Sequence, residues 1–155
     1  MKYEKPMPEH RAQNNLSESS PSVQIHLGIL QGVIERMASN SASTKAWCIT
    51  IVSAVLVIVA EKGKPNFALL ALLPTILFLA LDAYYLALEK GFRNSYTSFV
   101  TKVHDGTLAP RDLYFVVPEG SMCRLQFEAL ESFSVWGFYT VLIVLILLAR
   151  WIVLT

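Results

Sequence analysis

Apolar and charged residues fall into separate blocks along this chain. Residues 46–60, 66–81 and 133–149 carry no charge at all, whereas residues 1–45 and 89–132 hold 20 of the 25 charged side chains. About 20 predominantly apolar residues cross a hydrocarbon core of about 30 Å, so blocks of this kind predict membrane-spanning helices. The first uncharged block is only 15 residues, or about 22 Å as a helix. It is too short alone, so the helix is expected to continue from the segment before it, with the membrane boundary falling mid-helix. Lys45 and Trp47 mark that boundary. The turn EKGKP at 61–65 holds Gly63 and Pro65 and is short enough to force an antiparallel hairpin, giving a transmembrane unit over 44–88. Pro74 is expected to kink its second span, 66–88. The third span occupies 133–155, with Trp136, Tyr139 and Trp151 as interfacial anchors.

The polar flanks carry a different period. Residues 1–21 are rich in charge, Ser, Asn and Pro and read as a disordered tail. Residues 22–43 read as an amphipathic helix capped by Ser22, because Val23, Leu27, Leu30, Ile34 and Met37 step by 4, 3, 4 and 3. Gly28 and Gly32 form a small-xxx-small pair, which lets another backbone approach closely. Two glycines cost a helix roughly 2 kcal/mol relative to alanine, and close packing is the obvious compensation. Two readings stay open: a helix lying on the membrane or on its own bundle, or an oligomer contact through Gly28, Gly32, Leu27 and Leu30.

Beyond the second span the apolar period persists. Tyr85, Leu88, Phe92, Tyr96, Phe99 and Val103 follow at 3 or 4 residues, with Glu89, Lys90 and Arg93 opposite. A helix protruding to about Val103 and ended by His104-Asp105-Gly106 is expected. Its stripe must be covered, either by the matching stripe of 22–43 or by a partner. Residues 107–120, bracketed by Pro110 and Pro118, are irregular; Leu113–Val117 is either a short strand or a loop docked on the helices. Residues 121–132 begin another helix, completing a cytosolic region over 89–132. The fold class expected is an all-α membrane protein: three transmembrane helices, an N-terminal amphipathic helix and a helical cytosolic extension of the second span.

Composition narrows the function. The 155 residues are 54% apolar and 16% charged, with a net charge of +1. An ordinary soluble domain is about 25% charged, and a charge this close to zero gives no basic face for nucleic acid. The longest polar stretch between spans, about 40 residues, sits at the lower limit for unassisted folding. Cys48 and Cys123 read as filler, and His10, His26 and His104 sit at no ligand spacing. No Walker loop, GxSxG or HExxH motif is present, so neither an enzyme nor a cofactor or metal site is expected. The polar first 20 residues do not form a signal peptide. Ten Lys and Arg fall in 1–45 and 89–132, against Lys62 and Lys64 in the hairpin turn and Arg150 near the end of the third span. The positive-inside bias therefore predicts a cytoplasmic N-terminus, a C-terminus outside and residence in a bacterial inner membrane.

Ionisable residues inside a span are functional candidates. Asp82 lies 15 residues beyond Phe67, about 22 Å along a helix and near the cytoplasmic boundary. In a hairpin centred on Gly63 it faces Thr44, with Lys45 beside it, so a Lys45–Asp82 pair tying the hairpin base is expected, with a gating role for Asp82 or simple solvation at the interface as the alternatives. Arg150 should snorkel to the outer interface beside Trp151, or reach Glu61.

RMASNS at 36–41, KAWCITIVSA at 45–54, LDAYYLALEKGFRNSY at 81–96 and SFSVWGFY at 132–139, taken in that order, resemble the small bacterial membrane effectors of anti-phage defence loci, the two- or three-helix SLATT type. The stretch Leu81–Arg93 carries most of it. The resemblance implies an effector held inactive until infection is sensed, then triggered by a nucleotide messenger or a sensor protein to self-assemble as a homo-oligomer and disrupt the bilayer. No basic pocket with flanking aromatics is evident in 89–132, which favours a sensor protein over direct nucleotide binding. The competing readings are a non-enzymatic subunit anchoring a larger complex, and a small channel.

Overall fold

A computed structural model describes residues 16–154; the expected tail over residues 1–15 lies outside them. Helix α1 runs unbroken from Pro21 to Lys62, 42 residues or about 63 Å, so the amphipathic segment and the first span are one helix. Its buried positions, Val23, His26, Leu30, Ser41, Thr44, Cys48, Val52 and Val59, form a single stripe along its length. The stripe is mainly apolar at both ends and polar in the middle. The cap is Ser20 and not Ser22, with Pro21 in the first turn where its missing N–H costs nothing. Leu16, assigned to the tail by composition, packs against the seam of Val23, Leu30 and Phe99.

Gly63 ends α1 in the left-handed conformation at φ 61°, the geometry that glycine adopts without a Cβ penalty. The second span then opens as a 3-10 helix, Pro65–Ala71, before α2, Leu72–His104. Pro74 therefore does not kink the interior of a long α-helix. It sits in the first turn of α2, and the residue whose carbonyl its ring would meet, Leu70, lies in the 3-10 stretch. The tighter winding also lengthens the span. Pro65 to Asp82 covers about 30 Å at about 2.0 Å per 3-10 residue and 1.5 Å per α residue, close to one hydrocarbon thickness.

Helix α2 leaves the bundle with α1 alongside. Phe92, Tyr96, Phe99 and Val103 pack on Val23, Leu27 and Leu30, so the aromatic stripe is covered within the chain. Among the described residues there is no strand. Residues 107–120 form a strap, with one short 3-10 turn at Pro110–Asp112, docked on α1 and α2 through Leu108, Leu113 and Val116. Helix α3, Met122–Leu130, sets Leu125 and Ala129 against Ala83 and Ala87 of α2. The chain breaks at Glu131-Ser132 and re-enters as α4, Phe133–Leu154.

Val135, Tyr139, Leu142 and Ile146 of α4 join Cys48 and Val52 of α1 and Ala71 to make the core of the spanning bundle. Tyr139, expected as an interfacial anchor, is 1% exposed and fully inside. Trp136, Trp151 and Trp47 do point outward. So do Val57, Ile58, Leu73, Ile76, Leu77, Val141 and Leu147, each large, apolar and exposed. Three helices are long and apolar enough to cross a membrane, and faces like these require acyl chains as solvent. The protein is an all-α membrane protein.

Candidate functional site

The polar middle of the α1 stripe meets α2 and α4 at the hairpin base. Lys45 Nζ lies 2.6 Å from Asp82 Oδ2. Ser41 Oγ donates to Asp82 Oδ1, and Lys45 Nζ donates to Ser41 Oγ at 3.2 Å. Asp82 is wholly buried, and Lys45 keeps 17% of its side chain exposed. Thr44, the residue that hairpin symmetry places opposite Asp82, spends its hydroxyl on the Asn40 carbonyl at 2.8 Å. The partners are its neighbours at 41 and 45, because successive turns of α1 present those two positions to α2.

From α4 the Tyr139 hydroxyl enters the field of Asp82 and Cys48. It is buried and makes no hydrogen bond of good geometry. A carboxylate with one full charge partner, one hydroxyl donor and a second hydroxyl close by is compensated well enough to stay buried. Three spanning helices thus converge on one carboxylate. Lys45 to Lys62 spans about 26 Å, so the cluster sits roughly one membrane thickness from the turn. Sequence reasoning missed Ser41 and Tyr139. Ser41 lies one turn before Lys45, and that spacing was a usable signal; Tyr139 sits among span residues and gave none.

Arg150 donates from Nη2 to Asn66 Oδ1 at 3.3 Å, and the alternative contact to Glu61 is not formed.

Gly28 and Gly32 line an uncovered face of α1. A Cβ at either position would meet nothing within 4 Å. Ile25 and Ile29 flank them, exposed at 54% and 40%. Leu27 and Leu30 do not belong to this face. Leu30 is 1% exposed and Leu27 packs with it into the α1–α2 seam, so both are spent inside the protomer. The heptad stripe and the glycine pair occupy different sides of one helix.

Tyr85 is half-buried beside Tyr84. Phe92, Tyr96 and Phe99 form the seam itself, where the His26 ring packs on Phe99 at 4.2 Å between centroids with the planes tilted by 42°. His26 is 1% exposed, and its Nδ1 accepts the Tyr114 backbone N–H at 3.0 Å. Burial holds the His26 imidazole below its ordinary pKa, which keeps that acceptor unprotonated. Tyr114 presents its N–H from the left-handed region, at φ 63°.

The strap is fastened to α2 by Glu119 N–H donating to the Gly91 carbonyl at 3.0 Å, by Ser95 Oγ donating to the Val117 carbonyl and by the Lys102–Asp112 pair at 3.3 Å. The Ala109 N–H and Lys102 hold the Asp112 carboxyl below its usual range against a smaller opposing effect of burial. Under the strap lies a cavity of about 400 Å³ lined by His26, Ser98, Lys102, Asp112 and Phe115. Lys102 on its wall is already paired, so the cavity offers no free cation to a phosphate. Among the described residues no three His, Cys, Asp or Glu side chains converge as a metal site. Comparison with protein families, with curated proteins and with solved structures finds no match.

Proposed function

We propose that the protein is a membrane effector that oligomerises through its stalk, the paired α1 and α2 outside the bilayer, and in the assembled state permeabilises the membrane. The observation that carries this reading is the uncovered Gly28–Gly32 face flanked by exposed Ile25 and Ile29. Two glycines weaken a helix that gains nothing from them within the protomer, and a second backbone packing there is what the missing side chains permit. Assembly is also what permeation requires. Asp82 and Lys45 pair within the protomer and the outward faces of the spans are apolar, so one copy supplies no polar conduit.

The reading further places the stalk in the cytoplasm of a bacterium, the spans in its inner membrane and the trigger in infection. The resemblance centred on Leu81–Arg93 and the Lys and Arg excess in 1–45 and 89–132 support this. The paired state of Lys102 favours a sensor protein over a nucleotide as the trigger.

Gly28→Leu/Gly32→Leu tests the core of the proposal. The added side chains enter open space, so the protomer stays folded. Crosslinked oligomers and dye uptake on overexpression should both fall at least tenfold. Unchanged oligomers and uptake in that variant would refute the proposal.

A second reading, a non-enzymatic anchoring subunit, draws on the strap. Tyr114, Phe115 and Val117 are exposed at 57%, 68% and 45%, an apolar patch suited to a protein partner. A stable hetero-complex in mild detergent that is lost in Phe115→Ser, from cells whose membranes stay polarised, would favour it.

A further inference from the structure

At the turn end of the bundle, opposite the Asp82 cluster, the last turns of α1 and the 3-10 opening of the second span bury Val59 and Ala68 but part along one side. They leave an apolar groove of about 490 Å³, lined by Val55, Ile58, Val59, Phe67 and Leu70. Lys62 and Lys64 stand at its rim. Neither lysine meets a carboxylate within ion-pair distance among the described residues. Lys64 instead holds its ammonium 5.7 Å from the centroid of Phe67, a wall of the groove.

Arg150 reaches the same end of the bundle through Asn66 and carries a buried Nε with no hydrogen-bond partner. Three cations therefore gather where, among the described residues, the hairpin turn supplies one carboxylate side chain, Glu61, which pairs with none of them. The charge stands out because the hairpin turn breaks the otherwise one-sided distribution of Lys and Arg. Lysines at a helix end ordinarily do no more than snorkel into water. Here they frame an apolar groove at the turn end of the spans, which supplies an apolar slot with positive charge at its rim.

We infer that this groove is a binding site for one anionic phospholipid. An acyl chain lies along Val55, Ile58, Val59 and Leu70, and the phosphate sits between Lys62 and Lys64. Zwitterionic lipids lack the charge match that holds a lipid in the groove, and a soluble phosphate lacks the chain. Nothing in this inference depends on whether the protein permeabilises membranes.

The test uses the full chain purified in mild detergent, with thermal unfolding and native mass spectrometry as readouts. Phosphatidylglycerol should raise the unfolding midpoint by about 5 °C and persist as a bound adduct. Phosphatidylcholine with the same chains should do neither, and glycerol 3-phosphate should give no shift. In Lys62→Gln/Lys64→Gln, whose altered side chains are exposed, the midpoint without lipid stays at the wild-type value and the phosphatidylglycerol shift falls to the phosphatidylcholine level. Ile58→Trp, which fills the groove and keeps both lysines, loses the adduct. Equal shifts from the two lipids, an undiminished shift in the double glutamine variant, or a full shift from glycerol 3-phosphate would each overturn the inference.

Discussion

Asp82 owes its tolerance of burial to two side chains on one face of α1, and their removal measures what the cluster does. In Asp82→Asn the amide still accepts from Ser41 but no longer balances Lys45. Breaking a fully buried pair costs about 3–5 kcal/mol. Lys45, 17% exposed, can retreat toward water, so the loss of stability in detergent should be nearer ~2 kcal/mol. Lys45→Met/Asp82→Leu should recover most of it, because apolar residues of similar volume replace a buried pair at little cost. A double variant as unstable as the two singles combined would show that the pair is not coupled. His26 gives a second expectation at this scale. Its folded-state pKa lies below 6.5 because burial disfavours the imidazolium, so below pH 6.5 the unfolded chain binds more protons than the folded one. Stalk stability is therefore full above that pH and declines as pH falls toward the folded-state value. The facing groups, Lys102 and Asp112, are paired with each other. The protection factor of the Tyr114 amide, its exchange rate relative to an unstructured chain at the same pH, should fall on acidification in the wild type. In His26→Gln that protection should be lower by an amount worth about 1 kcal/mol and nearly insensitive to pH in this range. The Lys45–Asp82 proximity was legible from hairpin arithmetic, since it needs only a turn position and two helices. Tyr139 and the His26–Tyr114 bond were not, because each depends on how a neighbouring element is rotated or bent.

Elements were legible where a single period governs them. The stalk stripe at 85–103 follows from spacing alone, while spacing left its cover open between the 22–43 stripe and a partner, and the packing of Val23, Leu27 and Leu30 decides for α1. The strap did not yield to this reasoning. Leu113–Val117 is an apolar run of five residues, compatible with strand or loop, and the deciding features are point contacts on α2. Gly91 is the most exacting of these. A Cβ there would stand 2.7 Å from Pro118 Cβ and 3.2 Å from Leu125 Cδ1, while the Gly91 carbonyl accepts Glu119 N–H. Gly91→Ala should push the strap and α3 off α2 at a cost of ~1–3 kcal/mol, with faster proteolysis between residues 107 and 121. Unaltered proteolysis would mean that the strap is held chiefly from its Tyr114 end. The misjudged Pro74 has a related cause. Its position within the apolar run suggested a mid-helix kink, but the Pro65 start and the 3-10 winding move the true α-helical origin to Leu72.

For the molecule as a whole, the consequential feature is that α1 crosses the membrane boundary without interruption. Its stalk face carries the uncovered glycines, and about two and a half turns beyond Gly32 the same helix carries Ser41, with Lys45 one turn further, against Asp82. Any rotation or tilt imposed on the stalk by assembly is therefore delivered directly to the polar cluster that ties the three spans, since no loop intervenes to absorb it. Ser39, exposed and lying between Gly32 and Ser41 on α1, is the place to break this link. Proline there removes a helical hydrogen bond and costs about 3 kcal/mol in a helix interior. It leaves both the glycine face and the Lys45–Asp82 contact chemically intact. If the stalk drives the spans mechanically, Ser39→Pro should still crosslink into oligomers through cysteines placed at the glycine face, yet release dye at a small fraction of the wild-type rate. Ser39→Ala, which keeps the helix straight, should behave as wild type in both assays. Wild-type dye release in the proline variant would show that oligomerisation acts on the membrane without passing through α1.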